Sequence, residues 1–174
     1  MDAHCEMILD EYREALPDFE IMRDIVLDNL RKAISADGLV VNAVMARIKA
    51  EDSLAGKLEL KGQKYHSLTD ITDILGTRVI TYYADDVDRV AKLIESMFEV
   101  DWENSIDKRA ALDPDRFGYL SLHYICRIPE SVYRDPDHPD VNVYRFEIQL
   151  RSVLQHVWAE IEHDLGYKSR YPLP

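Results

Sequence analysis

The sequence predicts an α/β fold, with a mixed, largely antiparallel sheet of about five strands flanked by helices. Three observations carry this expectation. Tyr144, Phe146, Ile148 and Leu150 alternate with Arg145, Glu147, Gln149 and Arg151, the period of a pleated strand. From Ser152, a candidate N-cap, the apolar positions shift to helical spacing at Leu154, Val157, Trp158, Ile161 and Leu165, so a strand runs almost directly into a helix packed against something. The same strand-to-helix order occurs upstream, where a strand from Thr77 precedes an Asp85-capped helix with a buried stripe of Val87, Val90, Leu93, Ile94, Met97 and Phe98.

The remaining elements follow in order. Met7, Ile8, Tyr12, Ala15 and Leu16 predict a helix ending at Pro17. Ile21, Met22, Ile25, Val26, Leu30, Ala33 and Ile34 predict a second helix ending at Asp37 and Gly38. Leu39 to Lys49 reads as a strand with Arg47 and Lys49 on one face, and Glu51 to Gly62 as a helix that Ser53 caps and that carries Lys57 and Lys61 one turn apart. Phe98 to Trp102 is a candidate short strand, and Glu103 to Asp115 a mobile loop. In the strand RFGYLSLHYICRI, Tyr119, Ser121 and His123 share one face. The proline-rich loop Pro129 to Pro139 then returns the chain antiparallel.

With 174 residues, 47% of them hydrophobic, the chain has enough material for one domain and its core. This predicts an N-terminal helical segment over 1–38, packed on the remainder at 39–174. The finish at SRYPLP fits a domain excised from something longer. A net charge of −12 argues against a general nucleic-acid binder, although it leaves room for a basic pocket in an acidic shell. Cys5 and Cys126 have no metal-ligand spacing, and no apolar run approaches membrane-spanning length. A soluble, cytoplasmic protein is expected.

Two arginines bracketing a carboxylate and an amide, at Arg145 to Arg151, suit a site for a metal ion and phosphates. The cations Arg47, Lys49, Lys57, Lys61 and Lys64 cluster against the acidic trend, though each alone also fits a solvated face. Gly56 and Lys57 lack the rest of a phosphate-loop pattern. Asp70, Asp73 and Arg78 have two readings: Asp70 or Asp73 as a helix cap with Arg78 as its surface ion-pair partner, worth little, or Asp73 as a magnesium ligand and Arg78 as a phosphate contact. Tyr119, Ser121 and His123 fit either a half-exposed sheet face or the stacking and hydrogen bonding of a nucleotide. His156, Glu160 and His163 share a helix face, for which a plain polar surface is preferred to metal ligation.

Taken in order, ARIKAEDSLAGKLELKG, ITDILGTRVI, FGYLSLHY and FEIQLRSVLQHVWAEIEHDLGYK resemble the synthetase domain of the RelA/SpoT alarmone synthetases, over roughly Val41 to Lys168. The resemblance implies a nucleotidyltransferase-like fold and transfer of the β,γ-diphosphate of ATP to the 3′-hydroxyl of GTP or GDP, with AMP leaving. It implies Mg2+ held by Asp73 and Glu147, with Gln149 orienting Glu147 as the proton acceptor. Arg47, Lys49, Lys57 and Arg78 then bind the ATP phosphates, and Tyr119, Ser121 and His123 the acceptor.

One departure bears on the acceptor. Many housekeeping members have a basic or amide residue after the Gly-Tyr tyrosine, where this chain has Leu120. That form resembles the toxic small alarmone synthetases, some of which act on adenine nucleotides or on the 3′ end of tRNA. A tRNA or adenine-nucleotide acceptor, and a catalytically silent nucleotide-binding regulatory module, are the rival readings. Homo-oligomerisation, which some small relatives show, is undecided by these residues.

Overall fold

The computed structural model describes residues 3–107 and 121–168, and only the backbone of 107 and 162–168. In chain order the elements are α1 (Ala3–Ala36), β1 (Val41–Ile48), α2 (Glu51–Lys61), β2 (Leu75–Thr81), α3 (Ala84–Met97), β3 (Glu99–Val100), β4 (Ile106–Asp107), β5 (Leu122–Arg127), β6 (Phe146–Ser152) and α4 (Val153–Lys168). Short 3-10 turns lie at Gly62–Lys64, Leu68–Asp70 and Pro139–Asn142.

Period-two alternation decides which way the sheet faces. In β6, Phe146, Ile148 and Leu150 are buried, which turns Glu147, Gln149 and Arg151 to the other face. In β2 the alternation buries Leu75, Thr77 and Val79 and turns Gly76 and Arg78 to the same side as Glu147 and Gln149. The strands run in the order β1-β2-β6-β5-β3, with β4 also on β5. Among the described residues all pairs are antiparallel except β2 with β6, so the sheet is mixed and largely antiparallel as expected. Helices α1 and α3 cover the apolar face, where Phe98 of the α3 end meets the ring of Phe146 edge-on at 5.3 Å.

Several boundaries differ from expectation. The two N-terminal helices are one, α1, with Pro17 inside it. A helix-interior proline leaves the carbonyl four residues back without its amide partner. Here that carbonyl belongs to Arg13, and both Pro17 and Arg13 face water, which can supply the missing hydrogen bond. The helix ends where expected: Gly38 takes φ +68°, and the Leu39 amide donates to the Ile34 carbonyl at 3.0 Å, the closure that suits glycine.

Neither Ser53 nor Asp85 caps a helix. The N-cap of α2 is Ala50 and that of α3 is Tyr83, each with extended backbone and no side-chain cap bond. Asp85 lies one step inside α3, where a carboxylate suits the positive end of the helix dipole. Ser152 does cap α4: the Gln155 amide donates to its Oγ at 3.4 Å and its own amide donates to Gln155 Oε1 at 2.7 Å, a reciprocal box.

The largest departure is in α4. Its apolar stripe was expected to pack, yet Leu154 is 79% exposed, and Val157, Trp158 and Ile161 are also exposed, while Ala159 is buried. Helical spacing shows that a stripe exists but not that this chain covers it. Cys5 and Cys126 are buried thiols, and burial pushes Cys126 up to about 12. No helix of the described residues is long and apolar enough to cross a membrane.

Because α1 closes around an exposed proline, Pro17→Ala should raise the thermal midpoint. An interior proline costs about 3 kcal/mol relative to alanine and each kcal/mol is worth ~2–4 °C at this size, so the ceiling is roughly 12 °C. A level or lower midpoint in a thermal melt would mean that α1 needs the conformation the proline imposes.

Candidate active site

Strand register places the polar residues of the open sheet face in two rows. In the first, Met45 of β1 lies opposite Arg78 of β2, Arg78 opposite Gln149 of β6, and Gln149 opposite His123 of β5. The second runs Arg47, Gly76, Glu147, Ile125 in the same strands. Gly76 therefore leaves a gap between a cation and a carboxylate. A Cβ there would come no closer than 3.9 Å to any atom, to the Arg47 carbonyl, so the space above it is open. The result is a cleft of about 350 Å³ lined by Met45, Ala46, Arg47, Lys49, Asp73, Gly76, Thr77, Arg78, Glu147 and Gln149. Two other hollows, of about 430 and 540 Å³, contain no comparable meeting of carboxylates with several cations.

At one end of the cleft Asp73 sits between two lysines. Lys57 Nζ donates to its Oδ1 at 2.6 Å and Lys49 Nζ lies 3.2 Å from its Oδ2. The Lys57 ammonium also stands 5.3 Å from the ring centre of Tyr65. Burial alone would raise the Asp73 carboxyl, but Lys57 and Lys49 more than offset it and leave its pKa lowered. Burial likewise works against the Lys57 ammonium, and Asp73 reverses the sign so that Lys57 is raised.

In the middle of the cleft, Glu147 Oε1 lies 2.9 Å from His123 Nδ1 and accepts from Gln149 Nε2 at 3.2 Å. The contact with His123 is the main reason its carboxyl is lowered. Burial, with a smaller push from the Asp73 charge, opposes it, and that push shows two carboxylates sharing one field. His123 Nε2 reaches the buried Ser121 Oγ at 3.0 Å, completing a chain Ser121–His123–Glu147. Arg78 Nη2 donates to Gln149 Oε1 at 3.4 Å and pairs with neither Asp70 nor Asp73, so the surface ion-pair reading fails. Asp70 instead accepts from the His66 amide at 2.7 Å.

Helix α4 reaches the edge of the cleft at Arg78. Its Glu160 carboxylate lies 3.9 Å from Arg78, 3.8 Å from Arg151 and 3.9 Å from His156. Burial and the charges of Arg151 and Arg78 lower His156, an environment that disfavours a protonated imidazole and offers no cluster of metal ligands. His163 has no described side chain.

Of the residues singled out by sequence, Arg47, Lys49, Asp73, Arg78, Glu147 and Gln149 line the cleft directly. Lys57 joins through Asp73, and Ser121 and His123 join through Glu147. Tyr119 lies outside the described residues. Arg145 is not part of the site: it precedes β6, bonding Asp101 Oδ2 at 3.0 Å and the Thr69 carbonyl at 3.2 Å. Lys61 and Lys64 are exposed beside a separate hollow floored by Cys5. Sequence reasoning missed Met45, legible as the residue two before Arg47 on the same strand face. It also missed Tyr65, which no pattern marks.

Among the described residues no group of three or more His, Cys, Asp or Glu converges as a metal site. Mg2+ differs from metals that need such cages, because it keeps several waters and binds through one or two carboxylates plus substrate phosphates. Asp73 and Glu147, facing one cleft beside the open floor at Gly76, fit that requirement.

The residues now in place define the class. Residues 46–171 match the family model described as the region found in RelA/SpoT proteins, and the chain belongs to that family. Among its relatives, GTP pyrophosphokinase YjbM of Bacillus subtilis is 26% identical over 176 residues, 99% of this chain and 78% of that protein. The crystal structure of small alarmone synthetase 1 from Bacillus subtilis bound to its product pppGpp superposes with a TM-score of 0.72 at 22% identity, covering 95% of this chain and 84% of that one. A GTP pyrophosphokinase family protein from Streptococcus pneumoniae gives 0.63 at 26% identity over 100% of this chain and 82% of that one.

A lowered carboxyl contributes stability that is complete above its unfolded value, 3.8 for Asp73, and that is lost as pH falls through the folded value. The stability advantage of the parent over Asp73→Asn should therefore shrink as pH drops from about 5 toward 2. Urea midpoints at stepped pH measure it. A constant difference would show that the lysines do not stabilise the carboxylate.

Proposed function

We propose that this chain is an ATP-dependent pyrophosphokinase that moves the β,γ-diphosphate of ATP to the 3′-hydroxyl of GTP or GDP. The observation that carries the reading is the meeting of Asp73 and Glu147 with Arg47, Lys49, Lys57 and Arg78 in one cleft across Gly76. Two of its relatives are named GTP pyrophosphokinases, and it shares the fold of small alarmone synthetases.

In the proposed reaction the acceptor's 3′-oxygen attacks the β-phosphorus of ATP, the bond from that phosphorus to the bridging α–β oxygen breaks, and AMP leaves. Arg47, Lys49, Lys57 and Arg78 neutralise the triphosphate, the main service a protein offers phosphoryl-type transfer. Asp73 and Glu147 would hold Mg2+, which supplies further neutralisation of the phosphates when bound. Glu147, kept charged by His123 and steadied by Gln149, takes the proton of the attacking hydroxyl. His123 and Ser121 stand on the side of Glu147 away from the lysines and serve the acceptor, on whose base Tyr119 stacks. A nucleotide is favoured over tRNA as acceptor, because the described cations gather in one cleft of a chain whose net charge is −12.

The test is to follow β-labelled ATP with magnesium in parallel reactions offering GTP, GDP, no second nucleotide, or bulk tRNA. Label should pass to a guanosine nucleotide, and Glu147→Gln should reduce transfer by about 10²–10⁴ while circular dichroism shows the chain still folded at the assay temperature. Label on tRNA would replace the acceptor assignment, and no transfer to any acceptor would favour the silent module. Undiminished transfer by Glu147→Gln would remove that residue from its role. Tyr119→Ala should raise the KM for the acceptor and leave that for ATP near the parent's; an equal rise in both would count against stacking.

A further inference from the structure

Lys49 belongs to neither of the elements it joins: β1 ends at Ile48 and α2 begins at Glu51. A residue in such a connection has no ladder of its own to fix its height, yet its ammonium must stand at the cleft beside Asp73. Its backbone is held from both sides. Its amide donates to the Ile74 carbonyl at 2.7 Å, tying it to the neighbour of Asp73, and its carbonyl accepts from Tyr12 Oη at 2.6 Å. Tyr12 is itself fixed, only 3% exposed in the buried stripe of α1, so its hydroxyl is delivered by a rigid ring rather than by a mobile chain.

The residues on either side of Tyr12 brace the same corner. Glu11 Oε2 accepts from the Leu68 amide at 2.7 Å, and Arg13 binds the Glu51 carboxylate at the start of α2. Residues adjacent in a helix point about 100° apart. The buried Tyr12 therefore reaches inward while its neighbours reach to the two sides, and all three act on the chain that carries Lys49 and Asp73. None of them lies within the region 46–171 that matches the family model.

We infer that Tyr12 is a positioning residue for donor binding, setting the place of Lys49 through its carbonyl. This rests on the reading of Lys49 as a phosphate-binding group. The hydroxyl touches no substrate and acts only through the backbone, so its removal should weaken donor binding through Lys49 and the Asp73 it pairs with, and leave acceptor binding alone.

The test is titration of a non-hydrolysable ATP analogue with magnesium into the full chain, by calorimetry, for the parent, Tyr12→Phe, Lys49→Met and the double variant. Tyr12→Phe keeps the buried ring and should weaken analogue binding about tenfold, with guanosine nucleotide binding unchanged. In the Lys49→Met background the same change should have no further effect on analogue binding, although its effect on the thermal midpoint persists. A merely structural tyrosine would lower the midpoint in both backgrounds and leave analogue affinity alone. Unchanged affinity in Tyr12→Phe, or an equal loss with and without Lys49, overturns the inference while leaving the proposed function intact. A parent chain that fails to bind the analogue overturns both.

Discussion

The site depends on the two-residue period of one buried strand. Strand β6 is paired on both sides, parallel to β2 and antiparallel to β5, so it can neither rotate nor slip without breaking two ladders. Burying Phe146, Ile148 and Leu150 against α3 obliges Glu147 and Gln149 to face the other way. The same constraint aligns Arg78 and His123 beside Gln149 on the neighbouring strands, and puts Gly76 beside Glu147. The hydrophobic core and the polar cleft are thus two faces of one alternation.

Electrostatics then sorts the polar face. Charged groups withdrawn from water persist when they are paired, and the cleft pairs them locally. Asp73 is shared by Lys49 and Lys57, Glu147 by His123 and Gln149, and Arg78 meets Gln149 and Glu160. These partners keep both carboxyls charged, the form that can accept a metal ion or a proton. They also keep cations poised in a chain whose net charge would otherwise repel an anionic ligand.

Much of this arrangement was legible in the sequence, because strand alternation and the close spacing of Asp73, Gly76 and Arg78 are local signals. The strand–helix junction at Ser152 was legible for the same reason, since its cap is made with Gln155 only three residues on. What escaped notice was decided by distant partners or by solvent. Pro17 reads as a helix end, but whether a helix survives it depends on which side meets water. Arg145 reads as part of the strand's polar face, but Asp101, 44 residues earlier in the chain, captures it. The stripe on α4 reads as core, and no local pattern tells a face that is covered from one that is not. Tyr65 beneath Lys57 and Tyr12 beneath Lys49 are contacts of tertiary structure with no motif to announce them.

The parallel pairing of β2 with β6 sets an order of assembly. Arg78 and Gln149 are 71 residues apart, and strands far apart in sequence pair only after the chain between them has closed its loop. The lysines and Asp73 come from an early, nearly contiguous stretch and can gather first, whereas Glu147 arrives with the last strand of the sheet. A growing chain therefore carries the lysines and Asp73 of its cleft before Glu147. The complete cleft exists only once β6 has docked between β2 and β5.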